Sequence, residues 1–294
     1  MEFIPVKKIL SAYGTNDSWF GTNYTMNIYR GCCHGCIYCD SRSEIYNIQN
    51  FDQVRAKEDA IGLLNNELRN KRKRGVIGTG AMSDPYNPFE AKYKFTREAL
   101  KLMNKYNFGV AIATKSNLIS RDVDILQEIN SHAPVIAKIT VTAAEDELCR
   151  KLEPNVAVSS QRFEAINKLS SKGIFAGILM MPVLPFIEDN EENILKIISM
   201  AKENGARFIY TAFGVTLRQN QREYFLNNLG KHFPQAVPQY IEEYGHSYEC
   251  RSKNAEELWQ LFKEECSKAN ILYKMKDIIE GYKKENKIEQ LSLF

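Results

Sequence analysis

Residues 24–39 read Tyr24-Thr25-Met26-Asn27-Ile28-Tyr29-Arg30-Gly31-Cys32-Cys33-His34-Gly35-Cys36-Ile37-Tyr38-Cys39. The aromatic and β-branched residues at 24–29 predict a strand. The strand hands the chain directly to a loop holding four of the seven cysteines. Outward from it, similar apolar runs at 75–79, 109–114, 135–141, 175–181 and 208–213 predict five more strands. Helical patterns lie after them at 56–72, 96–106, 120–129, 159–172, 191–204 and 219–229. Six strands, each followed by a helix, argue for an α/β fold with a parallel sheet buried on both faces. Gly109, Gly173 and Gly205 stand where helices end, and Ser159, Asp189 and Asn190 suit helix N-caps. Six units fall short of the eight of a closed barrel, so an open barrel and a flat doubly wound sheet both fit this pattern.

The implied organisation is an N-terminal segment (1–23), a core domain (24–233), a C-terminal helical extension (234–289) and a short tail (290–294). The extension holds an amphipathic helix at 255–269, with Leu258, Leu261 and Phe262 on one face, and a charged stretch at 274–289. It is expected to cover part of the sheet or its mouth.

With 294 residues, 44% hydrophobic and 26% charged, the chain has enough material for a sizeable core. Aromatics at 11% exclude disorder over most of the chain, and 16 Gly with 9 Pro exclude a collagen-like one. No apolar run reaches the ~18 residues of a membrane span. The first residues show no secretion signal, so a cytoplasmic location is expected. A net charge of +3 permits a nucleic-acid partner without requiring one. An odd number of cysteines, clustered at one place, points to metal ligation rather than a disulfide framework.

Cys32, Cys36 and Cys39 have the spacing C-x3-C-x2-C. Three thiolates on one short loop suit three irons of a cubane cluster and leave the fourth iron without a protein ligand. A structural zinc instead takes four ligands. Cys33 and His34 are available to complete one, although the adjacent Cys32 and Cys33 point apart. An open iron has a chemical use. It can chelate the amine and carboxylate of S-adenosylmethionine and pass an electron to the sulfonium, which releases an adenosyl radical that abstracts hydrogen.

This loop resembles the signature of the radical S-adenosylmethionine superfamily, which implies a partial (β/α)6 barrel. More specifically, Asn27-Ile28-Tyr29-Arg30-Gly31-Cys32, His34-Gly35-Cys36, Tyr38-Cys39, Gly80-Ala81-Met82-Ser83-Asp84-Pro85-Tyr86 and Leu152-Glu153-Pro154 are similar to the spore photoproduct lyase-like family. The resemblance implies that Cys32, Cys36 and Cys39 ligate a [4Fe-4S] cluster. It implies further that Tyr38 lies against the adenine of S-adenosylmethionine. Ser83 and Asp84 would meet its amino end, Lys115 its carboxylate and Thr142 its other polar groups. An external electron donor of flavodoxin or ferredoxin type follows. Independently, Ser83-Asp84 and Lys115 come just after predicted strands, where parallel sheets bind ligands, and a lysine there suits an anion. Plainer readings stand beside these: a turn at Asp84-Pro85, a solvated Lys115, a helix N-cap at Thr142, a core Tyr38. Arg30 and His34 either shield the cluster or solvate the loop.

The resemblance departs at one point. The family's hydrogen-donating cysteine falls on Ala81 here, so a photoproduct-lyase reaction needs another donor. Cys149, Cys250 and Tyr86 are the candidates, although Cys149 and Cys266 also read as core thiols.

The remaining signals concern substrate and partners. Residues 175–186 are apolar and would form a dry wall at the barrel mouth, with Met180 and Met181 read as packing. The basic run 69–74 suits phosphates or the negative end of a helix dipole. Arg218, Arg222, Arg251 and Lys253, with Tyr224 and Tyr248, are candidates for a basic groove. The pentapeptide Gln290-Leu291-Ser292-Leu293-Phe294 resembles the peptide by which bacterial repair and replication proteins dock on the β sliding clamp. Together these predict a lyase-like radical enzyme of DNA repair, acting on a damaged or modified base. The alternatives are a radical enzyme acting on a protein or small molecule, and a non-catalytic metal module that docks on the clamp.

Overall fold

The computed structural model describes residues 1–13 and 19–284. Six parallel strands lie side by side in chain order: Tyr24–Met26, Val76–Thr79, Gly109–Thr114, Val135–Thr140, Phe175–Val183 and Ile209–Thr216. Antiparallel strands border them, Leu10–Ala12 beside the first and Glu249–Arg251 beside the last. A strictly sequential order has no topological switch point, which excludes the doubly wound sheet. The sheet also curls. Trp19, just ahead of the first strand, meets Tyr210 of the last edge-on at 5.4 Å, and Phe20 meets the same ring at 5.7 Å. The architecture is the open six-unit barrel.

The first strand stops earlier than its composition predicts. After Met26 the chain leaves the barrel, and Tyr29–Arg30 pairs with Arg55–Lys57 in a separate three-stranded sheet that also holds Glu2–Ile4. That strand delays the following helix, Ala60–Asn70, which lacks the first four residues expected of it. The small sheet brackets the cysteine loop and holds both its ends.

The bottom of the barrel is closed by hydrocarbon. Val76, Ala111, Ile136, Phe175 and Phe208 pack with Phe20 and with Ile278, Ile279 and Tyr282 of the helix Met275–Lys284. Phe175 and Phe208 stack at 5.7 Å, and the Tyr282 hydroxyl donates to the Phe20 carbonyl at 2.7 Å. The helix Ala255–Lys268 lies outside the barrel, turning Leu258 and Phe262 toward the helix Glu191–Glu203 and the last strand. These two helices therefore pack on the floor and flank, away from the mouth. The clamp-like pentapeptide 290–294 lies outside the described residues.

Candidate functional site

The cysteine loop is pinned at both ends. Gly31 has φ +78°, and a Cβ there would stand 2.6 Å from the Phe51 carbonyl oxygen, so only glycine lets the loop pass. The Cys32 amide donates to that same oxygen at 2.8 Å. Further along, the Ile37 amide donates to Leu152 O, and the Asn155 side chain donates to Cys33 O. Cys32, Cys36 and Cys39 all line a cavity of about 430 Å³ at the C-terminal ends of the strands. Cys33 does not line it and packs against the main core instead. Cys33 thus stands apart from the three thiols that share the cavity and is not placed to close a four-ligand site with them. Three thiols on one wall, with the fourth side left to a cavity, suit a cluster with an open iron. Burial pushes the Cys32 thiol up to about 12, with Asp84 adding to it, and raises Cys36 and Cys39 as well. The thiols are therefore neutral until a metal takes their protons.

The neighbouring strand ends complete the wall. Gly80, at φ +96°, leaves 1.9 Å between a hypothetical Cβ and Ala113 O. This forced glycine turns the chain from the second strand into Ala81-Met82-Ser83-Asp84, all of which line the cavity. The Ser83 hydroxyl donates to Gly31 O at 2.6 Å and ties that turn to the cysteine loop. Asp84 accepts from Thr114 Oγ1 at 2.6 Å, from the Tyr86 amide at 2.8 Å and from the Lys115 amide at 2.8 Å. His34 Nδ1 lies 3.6 Å from its other face. The turn reading and the ligand-platform reading thus hold together: one carboxylate joins three loops while lining the cavity.

Lys115 reaches into the cavity over the Tyr38 ring at 5.5 Å, with Glu153 Oε1 4.0 Å away. Burial works to discharge it, but the charges of Cys36 once ionised and of Glu153 outweigh that and raise its pKa. Glu153 also accepts from the Tyr38 hydroxyl and pairs with the fully buried Arg162 at 2.5 Å. Arg162 donates onward to Thr140 O and Ala157 O. Burial opposes the Glu153 charge, yet Arg162 and Lys115 hold its carboxyl below the usual range. This hub fixes Tyr38 and Lys115 in place. Sequence reading noted Glu153 and missed Arg162, whose position in an amphipathic helix looks like a solvated one.

Several predicted residues lie elsewhere. Thr142 is buried behind the wall, where its carbonyl accepts from Asn193; Thr140, two residues earlier on the inward face, lines the cavity instead. Cys149 is enclosed in the hub, with Arg162 donating to its sulfur at 3.5 Å. Cys250 sits in the edge strand opposite Val215, and Tyr86 is buried next to Arg121. None of these three donor candidates faces the cavity. Ala81 does line it. Besides Tyr38, the wall holds Tyr46, whose hydroxyl donates to Asp40 at 3.0 Å. Leu179, Met181 and Pro182 supply the expected apolar wall, while Met180 points into the core.

Arg42 lies 3.8 Å over the Tyr224 ring and pairs with Asp52, and Arg218 lies 4.5 Å over Tyr248 and pairs with Asp40. Arg251 and Lys253 are likewise engaged, by Glu256 and Glu243, and Arg222 by the Gly245 and Ser247 carbonyls. The basic run 69–74 precedes a strand's N-terminal end, so it lies at the opposite end of the barrel from the cavity. There Arg74 donates to Leu68 O and Lys71 O, capping its own helix.

The fold and site define a partial (β/α) barrel with a three-thiol cavity at its strand ends. A family model described as the Radical SAM superfamily matches residues 26–201. The chain belongs to that superfamily, whose members use a [4Fe-4S] cluster and S-adenosylmethionine with an external reductant. Among solved structures, a single-substitution mutant of spore photoproduct lyase superposes with TM-score 0.65 at 13% identity, covering 92% of this chain and 81% of that one. A doubly substituted mutant of the lyase, with bound AdoMet and dinucleoside spore photoproduct, gives TM-score 0.61 at 13% identity over 84% and 74%. An uncharacterized protein of Mycobacterium tuberculosis is 28% identical over 75% of this chain and 67% of its own. An uncharacterized protein of Methanocaldococcus jannaschii is 31% identical over 58% and 64%. No helix among the described residues is long and apolar enough to cross a membrane.

Proposed function

We propose that this radical S-adenosylmethionine enzyme abstracts hydrogen from a damaged or modified nucleic-acid base, in a lyase-like repair reaction. The observation that carries the reading is the convergence of Cys32, Cys36, Cys39, Ser83, Asp84, Lys115 and Tyr38 on one cavity at the strand ends. Cys32, Cys36 and Cys39 would hold the cluster, and the cationic Lys115 would take the carboxylate of the methionine moiety. Asp84 would accept from its amine, and Tyr38 would present a ring to the adenine. When bound, cluster and cofactor supply a one-electron cleavage that yields a hydrogen-abstracting 5′-deoxyadenosyl radical. Leu179, Met181 and Pro182 keep water from the same space. Arg42 and Arg218 pair with Asp52 and Asp40, so a phosphate reaching them competes with those carboxylates.

The test is deuterium transfer. Oligonucleotides carrying deuterated lesions should deliver label into 5′-deoxyadenosine under dithionite reduction. Label transfer from deuterated peptides alone would replace this reading with a protein substrate. The same reading includes docking of 290–294 on the β sliding clamp. Removal of those five residues should abolish capture on immobilised clamp, and equal retention would end the idea.

A further inference from the structure

A second cavity, of about 190 Å³, adjoins the first and shares Ala81 and Ala113 with it. Tyr13, Trp19, Thr25, Asn27 and Lys138 also line it. Lys138 is the unusual member. It lies on the inward face of the fourth strand between Ile136 of the floor and Thr140 of the cofactor cavity. Its register neighbours are Ala113 and Gly177, which leave it room. It is 3% exposed, and among the described residues its ammonium meets the Phe20 ring at 4.6 Å and no carboxylate. Burial lowers its pKa to about 7, with no counter-charge among the described residues. A lysine in that state costs stability, and a hydrophobic residue would fill the position better. On the same wall, Asn27 Oδ1 is buried with no donor among the described residues. One cavity is thus bordered by a donor and an acceptor that no polar group among the described residues uses, beside two aromatic rings.

We propose that this cavity is the substrate subsite and takes the amide edge of a heterocyclic base, Lys138 donating to a ring carbonyl and Asn27 accepting from a ring N–H. Trp19 and Tyr13 then border the ring, and Ala81 leaves a clear path from it to the cofactor. This deepens the nucleic-acid reading and rests on it. A pyrimidine carries that pairing of carbonyl and N–H; a carboxylate offers only acceptors and leaves Asn27 unsatisfied.

The two tryptophans, Trp19 and Trp259, allow a direct readout. In a Trp259→Phe background the fluorescence reports Trp19 alone. The reconstituted holoenzyme with S-adenosylmethionine is titrated with ultraviolet-irradiated oligothymidylate, with the untreated oligomer, and with a glutamate-rich peptide. Saturable quenching by the irradiated oligomer is expected, weakened at least tenfold by Lys138→Met and less by Asn27→Ala. The Lys138→Met chain should melt no lower than its parent, which separates lost binding from lost folding. Turnover of the oligomer with no Lys138 dependence, or with no Trp19 response, overturns the inference and leaves the nucleic-acid reading standing. A response to the peptide alone overturns both. No response to any probe removes the subsite.

Discussion

The two ends of the barrel are built from the same strands and differ in almost every other respect. The strand Val135–Thr140 gives Ile136 to the floor, Lys138 to the middle and Thr140 to the mouth; Phe175–Val183 gives Phe175 to the floor and Leu179 and Met181 to the cofactor cavity. The floor is stacked aromatic rings sealed by a helix from the far end of the chain. The mouth holds three thiols, Asp84, Lys115 and the Glu153–Arg162 pair, all partly or wholly buried. The floor supplies stability through hydrocarbon. The mouth carries desolvated polar groups, which cost the fold stability and would be offset by the cofactor proposed to bind there.

The contrast is broken or sharpened by substitution. The largest effect belongs to Cys36→Ala, which should remove the iron chromophore and all cleavage of S-adenosylmethionine while costing only about 1 kcal/mol of apo-protein stability; iron analysis and denaturant titration check it. Glu153→Gln strands the Arg162 charge in the interior and should cost about 3–5 kcal/mol. Because the native carboxyl titrates below its unfolded value, the parent chain keeps this stabilisation above the ordinary carboxylate range and loses it as pH falls. The variant should lack that acid-side slope. Phe208→Ala opens the floor and should also cost about 3–5 kcal/mol, yet the folded fraction should bind S-adenosylmethionine as before, measured by calorimetry.

Lys138→Met should act in the opposite sense, raising stability at neutral pH by about 1–4 kcal/mol. The native lysine titrates near 7, far below its unfolded value. Between the two the unfolded chain binds the additional proton, so parental stability rises with pH over that window. Melting curves of the variant from pH 7 to 10 should lack this rise. Smallest of all, Arg72→Ala in the basic run should change stability by no more than ~0.5 kcal/mol. It should leave the affinity for oligonucleotides unaltered in gel-shift titrations, because that run sits at the floor end.

Much of this was legible beforehand because it is local. The spacing of Cys32, Cys36 and Cys39 and the βα alternation are patterns within short windows, and the folded chain keeps both. The single strand expected at 24–29 breaks after Met26, and the helix reading failed at residues 56–59, for one shared reason: Tyr29–Arg30 and Arg55–Lys57 pair with each other across a loop. The αL turn before the third strand is taken by Asn107, at φ +57°, and not by Gly109. Arg162 and Lys138 look like ordinary polar residues of a helix and a strand. Their burial depends on which face turns inward when distant segments meet.

The sequence by itself determined the class of chemistry and the parallel alternation, since ligand spacing and hydrophobic period are properties of neighbours along the chain. Only the tertiary structure decided which thiols and tyrosines reach the cavity. It alone placed Glu153 on Arg162, closed the floor with the helix Met275–Lys284, and left Lys138 facing a second cavity. Those outcomes follow from the curvature that brings Trp19 against Tyr210, and curvature arises from packing between segments far apart in the chain.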